Sequence, residues 1–226
     1  MSVRADVGAF EAFGRAVAQF LHGGGGPGRR AARRCFAAQP GWLGGACCGL
    51  AVAVALLVGS SCARAESDTT IAEYRIKAAF LFKFVGFIDW PATTFDRADA
   101  PFTIGVLGGD TLGHELEQVV AGRQVNGHAV RVRMLGREDS PTGLQVLFVG
   151  RSEATRLNAL AALGDGVPVL LVSESDGALA LGSAINFVVV DDKVRFDVAL
   201  HSINRAGLKI SARLLAVARV VQPDPS

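Results

Sequence analysis

Between residues 70 and 90, apolar positions recur at spacings of three and four and predict one helix from about Thr70 to Asp89. One stripe of this pattern consists of Ile71, Tyr74, Ala78, Leu81, Val85 and Ile88, and a second consists of Phe80, Phe84 and Phe87. The latter half of the helix is therefore apolar almost all round. It has to be covered on two sides, either by the rest of the fold or by another chain. Trp90 and Pro91 end the helix, because the residue before a proline is pushed out of the α region.

After this helix, short apolar runs alternate with amphipathic segments. We predict strands at Phe102–Leu107, His128–Leu135, Leu144–Val149 and Val167–Ser173, and helices at Asp110–Ala121, capped by Asp110, and Ser152–Leu163. Ile185–Val190 and Val194–Val198 predict a hairpin, and a helical region that Gly207 can break follows over Leu200–Val220. Strands that alternate with helices favour an α/β fold. We predict a single three-layer domain with a mixed, mostly parallel sheet and helices on both faces, preceded by a signal segment.

The first 65 residues have a different pattern: four arginines at 29–34 precede an uncharged, apolar segment at about residues 41–61. A basic region, an apolar run and a small-x-small site form a secretory signal. We therefore predict a leader over residues 1–65, cleavage after Ala65, and a periplasmic domain over residues 66–226. An uncleaved anchor is an alternative that also leaves the domain in the periplasm, because the arginines precede the apolar run. Acylation at Cys62 and a twin-arginine signal at Arg33-Arg34 also stay open.

Charge and cysteine positions separate the leader from the domain. The whole chain has a formal charge of +2, but residues 66–226 carry 16 basic and 19 acidic side chains, a balance of −3. A slightly acidic domain with both signs scattered argues against nucleic acid as a partner. All four cysteines precede Ala65, so the mature domain has no residue for disulfide or thiol chemistry.

Few residues of the domain suggest catalysis or metal binding. Asp110, His114 and Glu115 share about one helical turn and could hold a metal, but a capping aspartate with two exposed neighbours is the simpler interpretation. Asp197 and His201 could pair on a helix, but a structural hydrogen-bond network is the favoured interpretation. The domain has no G-x-S-x-G elbow and no S-x-x-K. We predict no catalytic residue, cofactor or metal, and a hydrolase with a dispersed site is the less favoured class.

Two features remain as candidate binding sites. The turn Gly108-Gly109-Asp110 leads from a strand into a helix, where backbone N–H groups favour an anion, although it lacks the lysine of a P-loop. The second is a set of residues in the first helix and its exit: Phe80, Phe84, Phe87, Trp90 and Pro91. Aromatic side chains are frequent interface anchors. This set therefore predicts a partner or homodimer interface, with core packing as the competing interpretation.

Several segments of the domain resemble the YfiR-like family of small periplasmic regulators. Tyr74–Phe80, Ile88–Pro91 and Ile104–Gly108 resemble the opening of that family's sequence. Its closing part is similar to three further segments, Ile185–Val188, Val194–Val198 and Gly207–Leu215. The resemblance covers nearly all of residues 70–220 in the same order, and it is more specific for the fold than for the partner.

The resemblance implies a non-catalytic binding protein that represses a membrane-bound diguanylate cyclase through the cyclase's extracytoplasmic domain. In the best-known branch of the family, an outer-membrane lipoprotein captures the regulator. The resemblance implies that this capture releases the cyclase, raises cyclic di-GMP and promotes biofilm formation. That branch carries stabilising, redox-sensitive disulfides, whereas no cysteine follows Ala65 here. The alternative class is a periplasmic small-molecule-binding module, with its pocket beside Gly108 and Gly109 at the carboxyl ends of the strands.

Overall fold

The computed structural model describes residues 69–95, 97 and 99–224. The predicted leader, the cleavage site at Ala65 and the alternative acylation site Cys62 lie outside the described residues. The described residues all fall within the second of two structural units, Leu50–Ser226. None of the helices described there is both long and apolar enough to cross a membrane.

Five helices and ten strands make up the described part of the chain. The helices are α1 over residues 69–85, α2 (Asp110–Val120), α3 (Leu157–Leu163), α4 (Leu200–Arg205) and α5 (Ala212–Leu215). The strands are β1 (Ile88–Asp89), β2 (Phe102–Leu107), β3 (Gln124–Val125), β4 (His128–Leu135), β5 (Val146–Val149), β6 (Leu170–Ser173), β7 (Ile185–Val190), β8 (Lys193–Ala199), β9 (Lys209–Ile210) and β10 (Val220–Gln222). Single 3-10 segments cover Ala92–Thr94 and Arg151–Arg156.

Eight of these strands form one sheet in the order β10-β8-β7-β6-β5-β2-β4-β3. Five adjacent strands, β4, β2, β5, β6 and β7, run parallel to one another, and β8 joins them antiparallel through the β7–β8 hairpin. Strand β10 lies parallel to β8 at one edge, and β3 lies antiparallel to β4 at the other. The central order β4-β2-β5-β6-β7 is that of a doubly wound sheet. The predicted α/β fold with a mixed, mostly parallel sheet is confirmed.

Each face of the sheet has its own apolar core. Successive strand residues point to opposite faces, so Val146 and Phe148 of β5 join a larger core with α1 and α2, whereas Leu147 and Val149 join a smaller core with α3. This explains why the central strands are continuous apolar runs. Helices therefore cover both faces, as the three-layer prediction requires.

The first helix is shorter than predicted. It ends at Val85, and Gly86 and Phe87 form a tight turn in which their N–H groups donate to carbonyls only three residues back. Glycine is unfavourable inside a helix, and β1 then pairs antiparallel with β9. The Trp90 indole N–H donates to the Val85 carbonyl at 3.2 Å and satisfies an acceptor at the helix end.

The predicted helical region over Leu200–Val220 breaks at Gly207 as expected, but only Leu200–Arg205 and Ala212–Leu215 of it are helical. Gly207 has a φ of +67°, which ends α4, and the chain then forms β9, the one-turn helix α5 and β10. Two smaller differences concern helix starts. Gly109, and not Asp110, is the N-cap of α2, and the predicted helix Ser152–Leu163 begins as a 3-10 segment.

Candidate functional site

Among the described residues, the most deeply buried charged side chain is that of Lys77 on α1, which is 1% exposed. Its Nζ donates to Oε2 of Glu174 at 2.5 Å and also to Glu73, one helical turn earlier. Glu174 directly follows β6 and is itself 3% exposed. The Tyr74 hydroxyl donates to the other oxygen of Glu174 at 3.2 Å. These four residues, the Lys77 cluster, fasten α1 to the carboxyl end of the parallel sheet.

The electrostatics of the Lys77 cluster favour a structural role. A buried charge is tolerated only when it is paired and hydrogen-bonded, and both carboxylates are bonded to Lys77. The ε-amino group is therefore not free to attack a substrate. Burial, followed by the negative charge of Glu174, raises the pKa of Tyr74 to about 12. The phenol consequently keeps its proton at neutral pH and continues to donate to Glu174.

The order of the strands reverses between β2 and β5, and doubly wound proteins bind ligands at this switch point. Here the crevice is closed by the chain itself. A Cβ atom on Gly150, just after β5, would lie 2.0 Å from the Gly108 carbonyl oxygen. The Ser152 hydroxyl also donates to this oxygen, at 3.1 Å. The absence of a side chain at Gly150 lets the two turns pack directly together.

The predicted anion turn lies at this closed switch point. Gly108 has a φ of +66°, and a Cβ atom on Gly109 would lie 2.8 Å from the ring of Phe148. Backbone conformation and packing thus account for both glycines. Asp110 begins α2 and is exposed. A ligand role for this turn remains a prediction.

The aromatic residues of α1 pack mainly within their own fold. Phe84 is 0% exposed, and its ring centroid lies 5.6 Å from that of Phe187 and 4.9 Å from that of Phe196. Phe80 contacts the same two rings. Phe80 and Phe84 of the second apolar stripe therefore pack against β7 and β8. Phe84 has no exposed surface to offer, so a Phe84→Glu change would test folding and not dimerisation.

The other members of the predicted interface are partly buried. Trp90 packs edge-on against Phe102 at 5.1 Å between ring centroids. Phe87 and Pro91 retain some exposed surface. The backbone carbonyl of Phe87 accepts from Ser211, which binds the exit of α1 to the C-terminal region. An interface at this exit stays a prediction for the partly exposed residues alone.

The two polar constellations considered from the sequence do not form reactive sites. His114 Nδ1 lies 2.7 Å from the backbone oxygen of Asp110, while Glu115 is buried and accepts from Arg75 at 3.0 Å. Within the described ranges, no group of three or more His, Cys, Asp or Glu side chains is placed to hold a metal. Asp197 pairs with Arg219, with Nε–Oδ1 at 2.8 Å, and not with His201. His201 lies against the Ser202 hydroxyl.

Comparison with known proteins decides the family. A family model described as YfiR/HmsC-like matches residues 74–219. The chain belongs to the YfiR/HmsC-like family. The match begins at Tyr74 of the Lys77 cluster and ends at Arg219, so it contains nearly all of the described fold. A search of curated proteins returned no match to the chain.

A small cavity of this YfiR/HmsC-like domain lies between α3, β6 and α4. Its volume is about 30 Å³, which is room for one water molecule. Its lining includes Leu160, Val169 and Gly182, together with Asp165 and Arg205, which form an ion pair at 2.7 Å. Sites for small organic ligands are roughly ten times larger. This cavity does not fit the alternative of a small-molecule-binding module.

Besides Ile71 and Met134, the same domain exposes large apolar side chains in two groups. One group lies at the end of α3 and in nearby loops, where Leu163 is 66% exposed and Val167 and Leu181 are also exposed. The second lies on β7, on β10 and just before β10: Val189, Val190, Val217, Val220 and Val221. Local patterns did not reveal them, because apolar residues in predicted strands and helices are expected to be buried.

Proposed function

We propose that this YfiR/HmsC-like protein is a periplasmic regulator that binds the extracytoplasmic domain of a membrane-bound diguanylate cyclase and represses it. The observation that carries the proposal is the family match, which extends over residues 74–219. Loss of repression then raises cyclic di-GMP and promotes biofilm formation. The predicted leader is in accord with this compartment, since it delivers residues 66–226 to the side of the membrane where the cyclase's sensor domain lies.

The surface of the domain supports binding to a protein in preference to a small molecule. A protein partner would cover exposed apolar side chains such as Leu163 and Val220. The switch point where a small ligand would be expected is filled by Gly108 and Gly150. These observations favour the regulatory function over the small-molecule-binding alternative.

Repression by binding requires no reaction at the regulator. A ligand shifts a conformational equilibrium only by its differential affinity for the two states. Suppose that active and inactive cyclase are equally populated. A regulator that binds the inactive state about 100-fold more tightly than the active state then makes about 99% of the cyclase inactive at saturation. The charged groups of the Lys77 cluster are bonded to one another, so they serve to hold the binding surface in shape.

Release of the cyclase in this protein works without cysteine chemistry in the domain. All four cysteines lie before Ala65, so the redox control implied for the best-known branch does not extend to residues 66–226. Competition by a second protein, such as an outer-membrane lipoprotein, is the mechanism that we propose instead. A homodimer that exposes or hides the cyclase-binding surface is compatible with the same scheme.

Co-purification from native membranes tests this function. The exported protein, tagged at its C-terminus, is expressed in its own host, and solubilised membranes are passed over an affinity resin. We expect a membrane diguanylate cyclase in the eluate, identified by mass spectrometry. A matched variant that lacks residues 41–61 should stay in the cytoplasm and recover no cyclase. Recovery of a transport permease in place of a cyclase would contradict the proposal and favour the small-molecule-binding class.

A further inference from the structure

One edge of the sheet is left largely unpaired within the described residues. Strand β3 pairs with only the first residues of β4, through Gln124 with Ala129 and Val125 with His128. The last bond on this side runs from the Val130 N–H to the Arg123 carbonyl at 3.1 Å. Among the described strands, none lies beside the remainder of β4. Residues 131–135 therefore form an open edge.

The direction of the Val130 N–H shows which backbone groups are available. Backbone groups of a strand alternate between its two sides. The backbone N–H of Val130 points away from β2, so the backbone groups of Val132 and Met134 also point away from it. The backbone groups of Arg131 and Arg133 point towards β2, with which β4 pairs. Met134 is 37% exposed. The edge thus offers the N–H and C=O groups of two residues to an added strand.

This edge also carries a run of basic side chains in a domain whose predicted charge is negative. Residues 123–137 contain four arginines and no aspartate or glutamate. Among the described residues, only Arg137 of the four has a carboxylate partner, Glu153 at 2.8 Å. Arg133 donates to backbone carbonyls, Thr142 at 3.2 Å among them. Arg131 is exposed on β4.

We propose that the open edge of β4 binds an extended, acidic segment of a partner protein by strand addition. Main-chain hydrogen bonds to Val132 and Met134 supply the register, and Arg131 attracts carboxylates on alternate residues of the partner. A second copy of this chain is a poor occupant. Antiparallel pairing of two β4 edges about Val132 would place Arg131 opposite Arg133, and like charges directly opposite one another are destabilising.

The inference rests on the proposed function, because it identifies the surface through which this regulator contacts a protein. The probe is a capped, fluorescent octapeptide of alternating valine and glutamate, and an octapeptide of alternating valine and lysine is its control. Binding to the exported, purified protein is measured by fluorescence anisotropy. Amide hydrogen exchange at Val132 and Met134 is measured in the same samples. We expect the acidic peptide, but not the basic one, to bind and to slow hydrogen exchange at both amides at least tenfold.

Two variants separate strand addition from nonspecific attraction. Val132→Pro removes an outward N–H that is not bonded within the described residues, but it also replaces a side chain that packs against the larger core. Circular dichroism therefore checks that the variant is folded, and peptide affinity should fall at least tenfold. Arg131→Glu should lower affinity by a similar factor through charge alone. Arg213→Glu makes the same change in net charge at an exposed residue of α5 and should alter affinity less than twofold.

Several results would overturn the inference. Equal binding of the two peptides, or unchanged binding by Val132→Pro, would mean that the arginines only protect the edge from aggregation. Binding to vesicles of anionic phospholipid that Val132→Pro leaves intact would assign the arginines to a lipid surface. A dimer in sedimentation that Val132→Pro dissociates would assign the edge to a second copy.

Cyclic di-GMP levels in cells separate a failure of this inference from a failure of the proposed function. If the wild-type protein and Val132→Pro repress a cyclase equally, the function stands and the β4 edge is not the contact. If the wild-type protein represses no cyclase, the function fails whatever the peptide experiment shows.

Discussion

Removal of the Lys77 charge should strongly destabilise the fold. Lys77→Met keeps the length of the side chain but leaves Glu174, which is 3% exposed, with only the Tyr74 hydroxyl as a side-chain donor. Solvent screening is weak at this depth. Breaking a buried ion pair by removing one partner costs about 3–5 kcal/mol. We expect Lys77→Met to lower the free energy of unfolding by that amount.

Glu174→Gln should be less costly, because it leaves Lys77 bonded to Glu73. Loss of a hydrogen bond to a charged group costs about 1.5–3 kcal/mol. In the double variant no unpaired charge remains on the sheet side of the cluster. Its cost should therefore fall short of the sum of the single costs by about 2 kcal/mol, within the range measured for contacting pairs.

Urea unfolding followed by circular dichroism measures these costs. With a slope of about 2 kcal/mol per molar urea, Lys77→Met should lower the midpoint by about 1.5–2.5 M at unchanged slope. Lys193→Met is the matched control, because Lys193 is exposed in the β7–β8 hairpin, and it should cost less than about 0.5 kcal/mol. A cost below about 1 kcal/mol for Lys77→Met, or additive costs in the double variant, would refute the reasoning.

Three further predictions follow from the packing and from Tyr74. Phe84→Ala should lower the free energy of unfolding by about 3–5 kcal/mol without a change of mass in sedimentation, and a stable monomer formed from a dimer would contradict the core position. Gly150→Ala should destabilise by at least about 1–3 kcal/mol in urea, because its Cβ would meet the Gly108 backbone, whereas Gly86→Ala, with no atom closer than 3.7 Å, should not. Tyr74 is the only tyrosine, so absorbance near 295 nm should titrate at about pH 12 in the folded protein and near 10 after unfolding. Because the folded pKa of Tyr74 is the higher one, its contribution to stability is complete below pH 10 and is lost between 10 and 12. A folded midpoint near 10 would contradict the burial of Tyr74 and its contact with Glu174.

The sequence allowed the layers of the fold to be predicted but not its short elements. Continuous apolar runs such as Val146–Val149 identify strands buried on both faces. Such a strand is predicted correctly even when its first or last residue is misplaced. The C-terminal region failed because β9, α5 and β10 have only two to four residues each, too few for a period to show. The end of α1 was misplaced for the same reason, since Ile88 fits both a helical stripe and a two-residue strand.

The candidate sites depended on contacts between residues far apart in the sequence. Lys77 and Glu174 are 97 residues apart, and no local spacing joins them. One signal was present, because Lys77 lies three residues after Tyr74 and four before Leu81, within an apolar stripe where a charge requires a partner. Gly108 and Gly150 are also far apart in the sequence. Each looks like an ordinary turn glycine, and their contact forms only because the sheet brings the ends of β2 and β5 together.

Repression of a membrane-bound diguanylate cyclase is the function that we propose for this protein. The most direct test is to measure cyclic di-GMP by mass spectrometry in native cells with and without the gene, and again in cells that also lack the cyclase recovered from the membranes. We predict that loss of the protein raises cyclic di-GMP severalfold and that loss of the cyclase abolishes the rise. An unchanged level in the absence of the protein, or a rise that persists without any membrane cyclase, would contradict the account.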